Sequence, residues 1–446
     1  MRNSAFRPLA PALAALLALS PALRADELAQ LREQIHALEH KLLVLERKQE
    51  IQDERIAVTD KGVTLASADA ANSLKLRGLV QLDHRLFLND GGIVNNGFVL
   101  RRARLIAEAQ FAKTFTFQIV PEFGGSSVSL VDANVGIAVS PALQFKLGRL
   151  KSPVGYELLQ SDSWTFFNER SIVTNLVPNR DLGITAGGDV LDGRLSYTVG
   201  VFNGVADGAS STNSDFDNEK DFVGRVFASP FRNALGSPLQ GLSFGLAGSY
   251  GRQKTAAGRT SGYRTDGQQT FFSYLTTTVA DGPSWRVSPQ ADFRKGPLGL
   301  IGEYVLSTVN VRPSATGPKA GLQNRGWQIA GGYVLTGEDS SYNGVVPRTN
   351  FDPAAGTWGA FEVTGRYANV RIDDAAFPIY ASASASASEA TSFGLGLNWY
   401  LGKAVVFKLD YYQTNFGFAA GAPAVSATPA LRQDEKSIIT RFQLSF

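Results

Sequence analysis

The chain has 446 residues and a nearly balanced charge, with 43 lysine and arginine residues against 40 aspartate and glutamate residues. It has no cysteine and only three histidines, which excludes disulfide bonds and argues against the usual metal sites. There is no Walker loop or dinucleotide fingerprint, and basic residues do not cluster with aromatic ones. We therefore expect no catalytic residues, no metal, no cofactor and no nucleic-acid partner.

Residues 1–25 have the three parts of a secretory signal peptide. Arg2 and Arg7 supply positive charge, an apolar run extends from Leu9 to Leu19, and small residues follow. Cleavage after Ala25 or after Ala22 fits this pattern. The run is too short for a stable membrane anchor, and no later run reaches about 18 apolar residues. The sequence therefore predicts an exported protein without a membrane-spanning helix.

Residues 26–58 carry a heptad pattern. Its apolar positions are three or four residues apart, as in a coiled coil: Leu28, Leu31, Ile35, Leu38, Leu42 and Leu45. We interpret this segment as an oligomerisation stalk. The alternative is an amphipathic helix that lies on the rest of its own chain. Residues 59–72 are polar, and we expect them to form a linker.

Residues 73–446 alternate apolar and polar side chains over many short segments, which is the pattern of a wall with lipid outside and water inside. The predicted strands, about sixteen in number, lie near 74–88, 98–111, 114–123, 128–139, 142–150, 182–190, 194–202, 220–230, 241–252, 285–295, 298–311, 324–335, 358–371, 390–401, 404–416 and 436–446. Tight turns alternate with long connections, as periplasmic turns and extracellular loops do, except that 229–240 and 336–357 are long where short turns are expected. The sequence therefore predicts an all-β fold: a sixteen-stranded antiparallel transmembrane β-barrel after an N-terminal periplasmic coiled-coil helix.

The last strand carries a second signal. Phe442, Leu444 and Phe446 lie on one face, and Arg441 and Gln443 lie on the other. Many outer-membrane barrels end on such an aromatic strand, so we interpret the three apolar residues as an insertion signal. The alternative is the last strand of a soluble β-sandwich. The repeat ASASASAS, at 381–388, buries little area, and we expect it to be a flexible outer loop.

Two sets of charged residues are candidate pore residues. Inward-facing basic residues of the strands are expected to line the pore and bind anions: Lys75, Arg77, Arg85, Arg102, Arg104 and Lys146. The long connection 152–181 is expected to fold inward as a constriction, where opposed charges orient solutes. Its charged residues, with the strand residue before it, are Lys151, Glu157, Asp162, Glu169, Arg170 and Arg180. The alternative is an ordinary surface loop.

The chain resembles the phosphate-selective porins of Gram-negative outer membranes. The resemblance rests on the strings RRARL (101–105), GRLKSPVG with FNERS (148–171), GVFNG (200–204), YVLTGE (333–338), GLNWYL (396–401) and the terminal strand. It implies a homotrimer of sixteen-stranded barrels with a stalk before the first strand, and a channel lined by a ladder of basic residues. Arg102 matches a member of the family's paired arginines.

The expected function is therefore a passive outer-membrane channel that prefers phosphate, polyphosphate or small organic anions, with no enzymatic activity. Its expected partners are outer-membrane lipid and lipopolysaccharide, the barrel assembly machinery, two further copies of itself and its anionic solutes. The stretch GYELLQSDSW, at 155–164, lacks the family's constriction lysine, and Leu79 stands near an arginine of the family. We therefore expect weaker phosphate binding than in lysine-rich relatives. The alternatives are a weakly selective general porin and a structural or adhesion barrel.

Overall fold

The computed structural model describes residues 30, 32–44, 55–88, 94–254, 260, 262–422 and 431–446. Residues 32–44 form helix α1, and Tyr156–Leu159 form the short helix α2. Two 3₁₀ turns lie at Ile172–Leu176 and Asp374–Ala376. No helix within the described residues combines the length and apolar character needed to cross a membrane.

The described strands account for most of the regular structure. In chain order they are β1 (Arg55–Thr59), β2 (Gly62–Ala66), β3 (Ser73–Leu88), β4 (Gly97–Phe111), β5 (Phe115–Glu122), β6 (Ser129–Ser140), β7 (Leu143–Lys151), β8 (Arg180–Val190), β9 (Leu195–Phe202), β10 (Asp221–Ala228), β11 (Leu242–Lys254), β12 (Gly262–Arg264), β13 (Thr270–Ser273), β14 (Val279–Lys295), β15 (Leu298–Arg312), β16 (Ala320–Val334), β17 (Ala360–Arg371), β18 (Glu389–Tyr400), β19 (Val405–Gly417) and β20 (Asp434–Ser445). Sixteen of them, β3–β11 and β14–β20, pair antiparallel with both neighbours and close into a barrel.

The barrel closes where the last strand pairs with β3. Phe442 lies opposite Leu82 and Leu444 lies opposite Val80, so the barrel has no open edge. Phe442 has 50% of its surface exposed on the outer face, whereas Arg441 is 1% exposed inside. The predicted alternation and the predicted sixteen-stranded fold are therefore confirmed.

Strand boundaries agree with the sequence prediction to within a few residues, except in β14. This strand begins at Val279 rather than near 285. Its register against β15 shifts between Ala280 and Ser284, where Gly282 adopts a positive φ of 139°. The Asp-Gly-Pro sequence that resembles a turn therefore forms an irregularity within a longer strand.

The end of the predicted coiled-coil segment and part of the expected linker form a β-hairpin, so the boundary predicted at residue 58 was wrong. Strands β1 and β2 pair with each other, and Val63 and Leu65 of β2 then pair with Leu76 and Leu74 of β3. Strand β20 ends opposite Leu79, so β2 covers the part of β3 that β20 does not reach. The turn between β1 and β2 uses Gly62, whose φ is +102°.

Helix α1 exposes its apolar stripe. Leu38 is 65% exposed, and Ile35 and Leu42 are also exposed. Leu28, Leu31 and Leu45, which complete the predicted heptads, lie outside the described residues. The role of this helix as an oligomerisation stalk stays a prediction.

Connections at both ends of the barrel fold inward. On the side of the long loops, the hairpin β12–β13 buries Tyr263, Phe271 and Phe272, and the Ser-Ala repeat packs on it. Ala387 donates a backbone hydrogen bond to Phe271 (2.8 Å), and Ser386 Oγ donates to the Ser273 carbonyl (3.0 Å). Small side chains allow this close packing, so residues 386–388 are buried, whereas Ser384 and Ala385 are exposed. The flexibility of the repeat stays a prediction. On the opposite side, Tyr342 of the 335–359 connection contacts Tyr156, with ring centroids 5.6 Å apart.

Candidate functional site

The connection between β7 and β8, residues 152–179, lies inside the barrel and is called the inner loop below. Polar side chains of the wall satisfy its backbone groups along most of its length. The hydrogen bonds join Gln290 to the Val154 carbonyl (2.7 Å), Glu303 to the Tyr156 amide (2.8 Å), Asn398 to the Phe166 carbonyl (2.9 Å), Gln443 to the Ser163 carbonyl (3.1 Å) and Gln81 to the Asp162 carbonyl (3.0 Å). The loop therefore narrows the lumen, as the sequence predicts.

Lys151 fixes the shape of this loop at its start. Its Nζ donates to the carbonyls of Leu158 (2.7 Å), Leu159 (3.2 Å) and Gln160 (2.8 Å). These carbonyls lie at the C-terminal end of α2, where helix carbonyls lack intrahelical partners and attract cations. Much of the hydrogen-bonding capacity of Lys151 is thus used within the protein.

Glu157 faces the barrel wall and not the open lumen. Its side chain is buried, and Oε2 accepts hydrogen bonds from the Ser171 amide (2.9 Å) and from Gln328 Nε2 (3.0 Å). The Arg366 guanidinium lies 3.6 Å from Oε1. The negative charge of Glu157 is therefore compensated behind the inner loop.

Asp162 is the centre of an arginine cluster. Its carboxylate pairs with Arg104 and Arg170, and Arg102 Nη2 lies 3.2 Å from Oδ1. Burial of Asp162 opposes its ionisation, but the charges of Arg102, Arg170 and Arg104 outweigh this effect and hold its pKa well below the usual 3.8. One loop carboxylate thus occupies a position where three guanidinium groups converge.

Glu169 has a similar environment on the neighbouring part of the loop. Arg101 Nε donates to Oε1 at 2.6 Å, and Arg441 Nη2 donates to the same oxygen at 2.9 Å. Arg85 lies 3.8 Å away. Burial opposes the ionisation of Glu169, but Arg101, Arg102 and Arg441 keep its pKa well below the usual 4.5. Both carboxylates are therefore ionised at neutral pH.

The remaining candidate residues are distributed along the wall. Arg77 is half-buried and pairs with Glu108 at 2.6 Å, and Lys75 lies opposite the same Glu108 on the neighbouring strand. Arg180 pairs with Asp132 at 3.1 Å. Lys146 is exposed, and neither an ion pair nor a side-chain hydrogen bond joins it to another described residue.

Two chambers lie on either side of α2. The upper chamber, on the side of the long loops, has a volume of about 440 Å³. Its charged lining residues are Arg101, Arg102, Arg104, Arg170, Arg180 and Arg264, with Asp162, Glu169 and Asp207. The lower chamber, on the side of the tight turns, has a volume of about 310 Å³ and is lined by Lys146, Lys151, Arg225 and Asp189. Basic residues therefore outnumber acidic ones in both chambers.

Comparison with known protein families identifies one that matches the whole barrel sequence apart from its first residue. A family model described as phosphate-selective porin O and P matches residues 74–446, which is all of the barrel except Ser73. The chain belongs to this family. It is accordingly a porin of the Gram-negative outer membrane.

Individual relatives are distant. Porin O of Pseudomonas aeruginosa is 24% identical over 386 residues, which cover 79% of this chain and 85% of that protein. The outer membrane channel DcaP of Acinetobacter baumannii is 10% identical with a TM-score of 0.53, covering 84% of this chain and 98% of DcaP. An anion-selective porin from Comamonas acidovorans is 14% identical with a TM-score of 0.52, covering 84% and 100%. OmpT of Vibrio cholerae, solved in a trimer form, is 10% identical with a TM-score of 0.53, covering 84% and 100%. The solved structures share the barrel fold.

In this porin, Arg101 joins the cluster although strict alternation assigns it to the lipid face. Gln81 lies opposite Arg102 and Leu82 lies opposite Leu100, so Arg101 is the extra residue of a β-bulge. The bulge brings both arginines to the lumen. The sequence indicates this β-bulge, because a charged side chain on the lipid face destabilises the barrel. Two successive arginines can both face the lumen only if the strand has such an irregularity.

Arg441 is the second arginine near Glu169 that is absent from the candidate residues predicted from the sequence. It lies on the polar face of β20, and its guanidinium reaches both Asp83 and Glu169. The polar face was evident from the sequence, but its partners lie hundreds of residues away. Within the described residues, no group of three histidine, cysteine or acidic side chains has the geometry of a metal site.

Proposed function

We propose that this porin is a passive channel with a preference for anions, with phosphate, polyphosphate and small organic anions as its solutes. The observation that carries the proposal is the excess of basic residues in both chambers. A positive lumen with low-dielectric walls lowers the barrier for an anion and raises it for a cation. The work is electrostatic, and no chemical reaction is part of the proposal.

The residues of the upper chamber are proposed to act first. Arg101, Arg102, Arg104 and Arg170 converge on two loop carboxylates and present further N–H groups toward the chamber. An entering anion exchanges water for these donors. Arg180 and Arg264 extend the positive lining on the same side of the inner loop.

Basic residues of the wall below the inner loop are proposed to contact the anion after it leaves the upper chamber. Lys146 and Arg225 receive the anion below α2, and Lys75 and Arg77 contribute a weaker field, because Arg77 pairs with Glu108. Arg85 contributes beside Glu169 at the upper chamber, where Asp83 and Glu169 offset its charge. Lys151 acts chiefly by holding the inner loop in place. Glu157 is not proposed to repel anions, because it faces the wall.

A weakly selective general porin is the second candidate, and one observation favours it. Asp162 and Glu169 lie among the arginines and cancel part of their charge. The net field in the upper chamber is therefore smaller than the number of arginines implies. If this field is too weak, chloride and potassium permeate at similar rates.

We also propose that the porin forms trimers, with the α1 segment as a periplasmic stalk. The trimer form of OmpT and the exposed apolar stripe of α1 support this proposal. The outward Phe442, Leu444 and Phe446 are proposed to be read by the barrel assembly machinery and then to face lipid. Lipopolysaccharide is the proposed partner of the outer rim.

The test is the reversal potential of single channels in a potassium chloride gradient. If the channel prefers anions, its reversal potential has the same sign as the equilibrium potential of chloride. The substitution Arg104→Gln is expected to move the reversal potential toward zero. Removal of one lumen charge is expected to lower the chloride-to-potassium permeability ratio roughly two- to fourfold at low salt. The matched control Arg371→Gln removes an exposed arginine at the rim and keeps the wild-type ratio. A wild-type potential of zero would overturn the proposal in favour of the general porin.

A further inference from the structure

The inner loop buries nearly all of its first third and leaves one apolar side chain partly exposed. Every residue from Ser152 to Gln160 is buried except Leu159. Leu159 lies at the end of α2 and faces the lower chamber. Leu158, its neighbour, is packed in a hydrophobic cluster. An apolar residue is therefore presented to the lower chamber.

One further apolar side chain extends this surface. Leu150, at the end of β7, is partly exposed and lines the lower chamber beside Leu159, whereas Pro153 is buried. The upper chamber differs, because Leu158 and Ala209 are the main apolar contributors to a lining dominated by arginines and polar groups. The two chambers therefore offer different chemistry to a solute.

The cationic side of the lower chamber is formed by the wall. Lys146 on β7 is exposed and has no side-chain partner among the described residues. Arg225 on β10 lies over the ring of Phe227, with its Cζ 4.6 Å from the ring centroid, and donates to Gln290 at 3.1 Å. Phe227 and Gln290 are neutral, and no carboxylate of the described residues forms an ion pair with Arg225. Thr185 and Thr198 add hydroxyl donors on β8 and β9.

We propose that the lower chamber is a binding site for small carboxylates that carry a hydrocarbon part. The carboxylate interacts with Lys146 and Arg225, while the hydrocarbon part packs on the partly exposed Leu159 and Leu150. This proposal rests on the proposed anion channel and names one class of its solutes. Inorganic phosphate and chloride gain only from the cationic side, because they have no apolar part to bury.

The series acetate, propionate, butyrate and valerate tests the proposal directly. Complete burial of a methylene strengthens binding by roughly fourfold. Since the chamber is open to water on one side, we expect about half of that free energy, or roughly a twofold lower blocking concentration per methylene. The measurement is block of chloride current in planar bilayers by each carboxylate, with inorganic phosphate as a reference without hydrocarbon.

Three substitutions separate the two parts of the site. Leu159→Asn is expected to remove most of the dependence on chain length, whereas Leu159→Met, which keeps an apolar side chain, retains it. Lys146→Gln weakens block by every member of the series by a similar factor and leaves the dependence on chain length unchanged. Comparison of Leu159→Asn with Leu159→Met also controls for changes in the fold of the inner loop.

Two results would contradict the proposed carboxylate site. Equal block by acetate and valerate in the wild type overturns the proposal, as does an unchanged dependence on chain length in Leu159→Asn. The reversal potential is recorded in the same bilayers. A channel that prefers anions but ignores chain length contradicts this inference alone, whereas a channel without anion preference contradicts the proposed function itself.

Discussion

Arg441 of β20 binds Asp83 of β3 through two parallel hydrogen bonds, from Nε to Oδ1 at 2.6 Å and from Nη2 to Oδ2 at 2.8 Å. The two residues lie directly opposite each other at the seam where the barrel closes. Arg441 Nη2 also donates to Glu169 of the inner loop at 2.9 Å. One guanidinium therefore connects the first and last strands of the barrel to the constriction.

We expect Arg441→Gln to destabilise the barrel strongly. The substitution leaves the buried Asp83 carboxylate with only the more distant Arg85, 3.5 Å away, and removal of one partner of a buried ion pair typically costs about 3–5 kcal/mol. The measurement is the free energy of unfolding by urea in detergent micelles. Arg371→Gln, at the exposed rim, serves as a control and should change it by less than about 0.5 kcal/mol. Equal stability of the two variants would show that the seam does not depend on this pair.

Asp162→Asn is expected to increase anion preference. It removes a negative charge on which Arg102, Arg104 and Arg170 converge, so these guanidinium groups act on the solute without a competing carboxylate. We expect the concentration of phosphate that blocks half of the chloride current to fall roughly tenfold. Asp374→Asn removes the same charge at an exposed turn and should leave the block unchanged. Unchanged block in Asp162→Asn would mean that the anion path avoids this cluster.

Acid should destabilise the barrel partly through the loop carboxylates. In the folded barrel the pKa of Asp162 lies well below 3.8 and that of Glu169 well below 4.5. Their contribution to the free energy of unfolding is therefore complete above these ordinary values and is lost as the pH falls through the lower folded-state pKa. We therefore expect these two carboxylates to leave the free energy of unfolding unchanged between pH 7 and pH 5. Their contribution declines below about pH 4.

Urea unfolding at a series of pH values measures this dependence. Asp162→Asn should show a shallower decline below about pH 4 than the wild type, since it lacks one of the depressed carboxylates. Asp374→Asn should follow the wild-type curve. A decline of wild-type steepness in Asp162→Asn would assign the acid sensitivity to other carboxylates.

Much of the barrel could be predicted because its physical requirements repeat along the chain. A lipid-facing residue such as Phe442 and a lumen-facing one such as Gln443 must alternate. Tight turns of two or three residues then fix which ends of the strands are close in space. The hairpin β1–β2 lacks this signal, because its strands are short and β1 overlaps the end of the predicted heptad segment, which has a different period.

The pairing inside the lumen could not be predicted in the same way. The sequence indicates that Arg102 and Arg104 face inward, but it does not show that both approach Asp162 from across the inner loop. Such pairs depend on the path of the loop, which wall residues such as Gln81 and Gln443 determine through single hydrogen bonds. The same path turns Glu157 toward the wall, although it is as acidic in sequence as Asp162.

The stalk is expected to drive trimer formation without being needed for barrel folding. Deletion of Asp26 to Lys61 would also remove β1, which pairs with β2 at the edge of β3. A cleaner deletion removes residues 26–54 and keeps the hairpin. The exposed Ile35, Leu38 and Leu42 would be lost, and with them the apolar seam that a coiled coil buries.

We expect this deletion variant to run as a compact, heat-modifiable barrel on gels, but to have the mass of a monomer in light scattering. A second variant, Leu38→Asn with Leu42→Asn, keeps the length of the helix and tests the seam alone. It should dissociate in the same way, because each apolar layer contributes to association through buried area. Stable trimers in both variants would place the subunit contacts on the barrel wall, and unfolded protein in both would show that the stalk is required for folding.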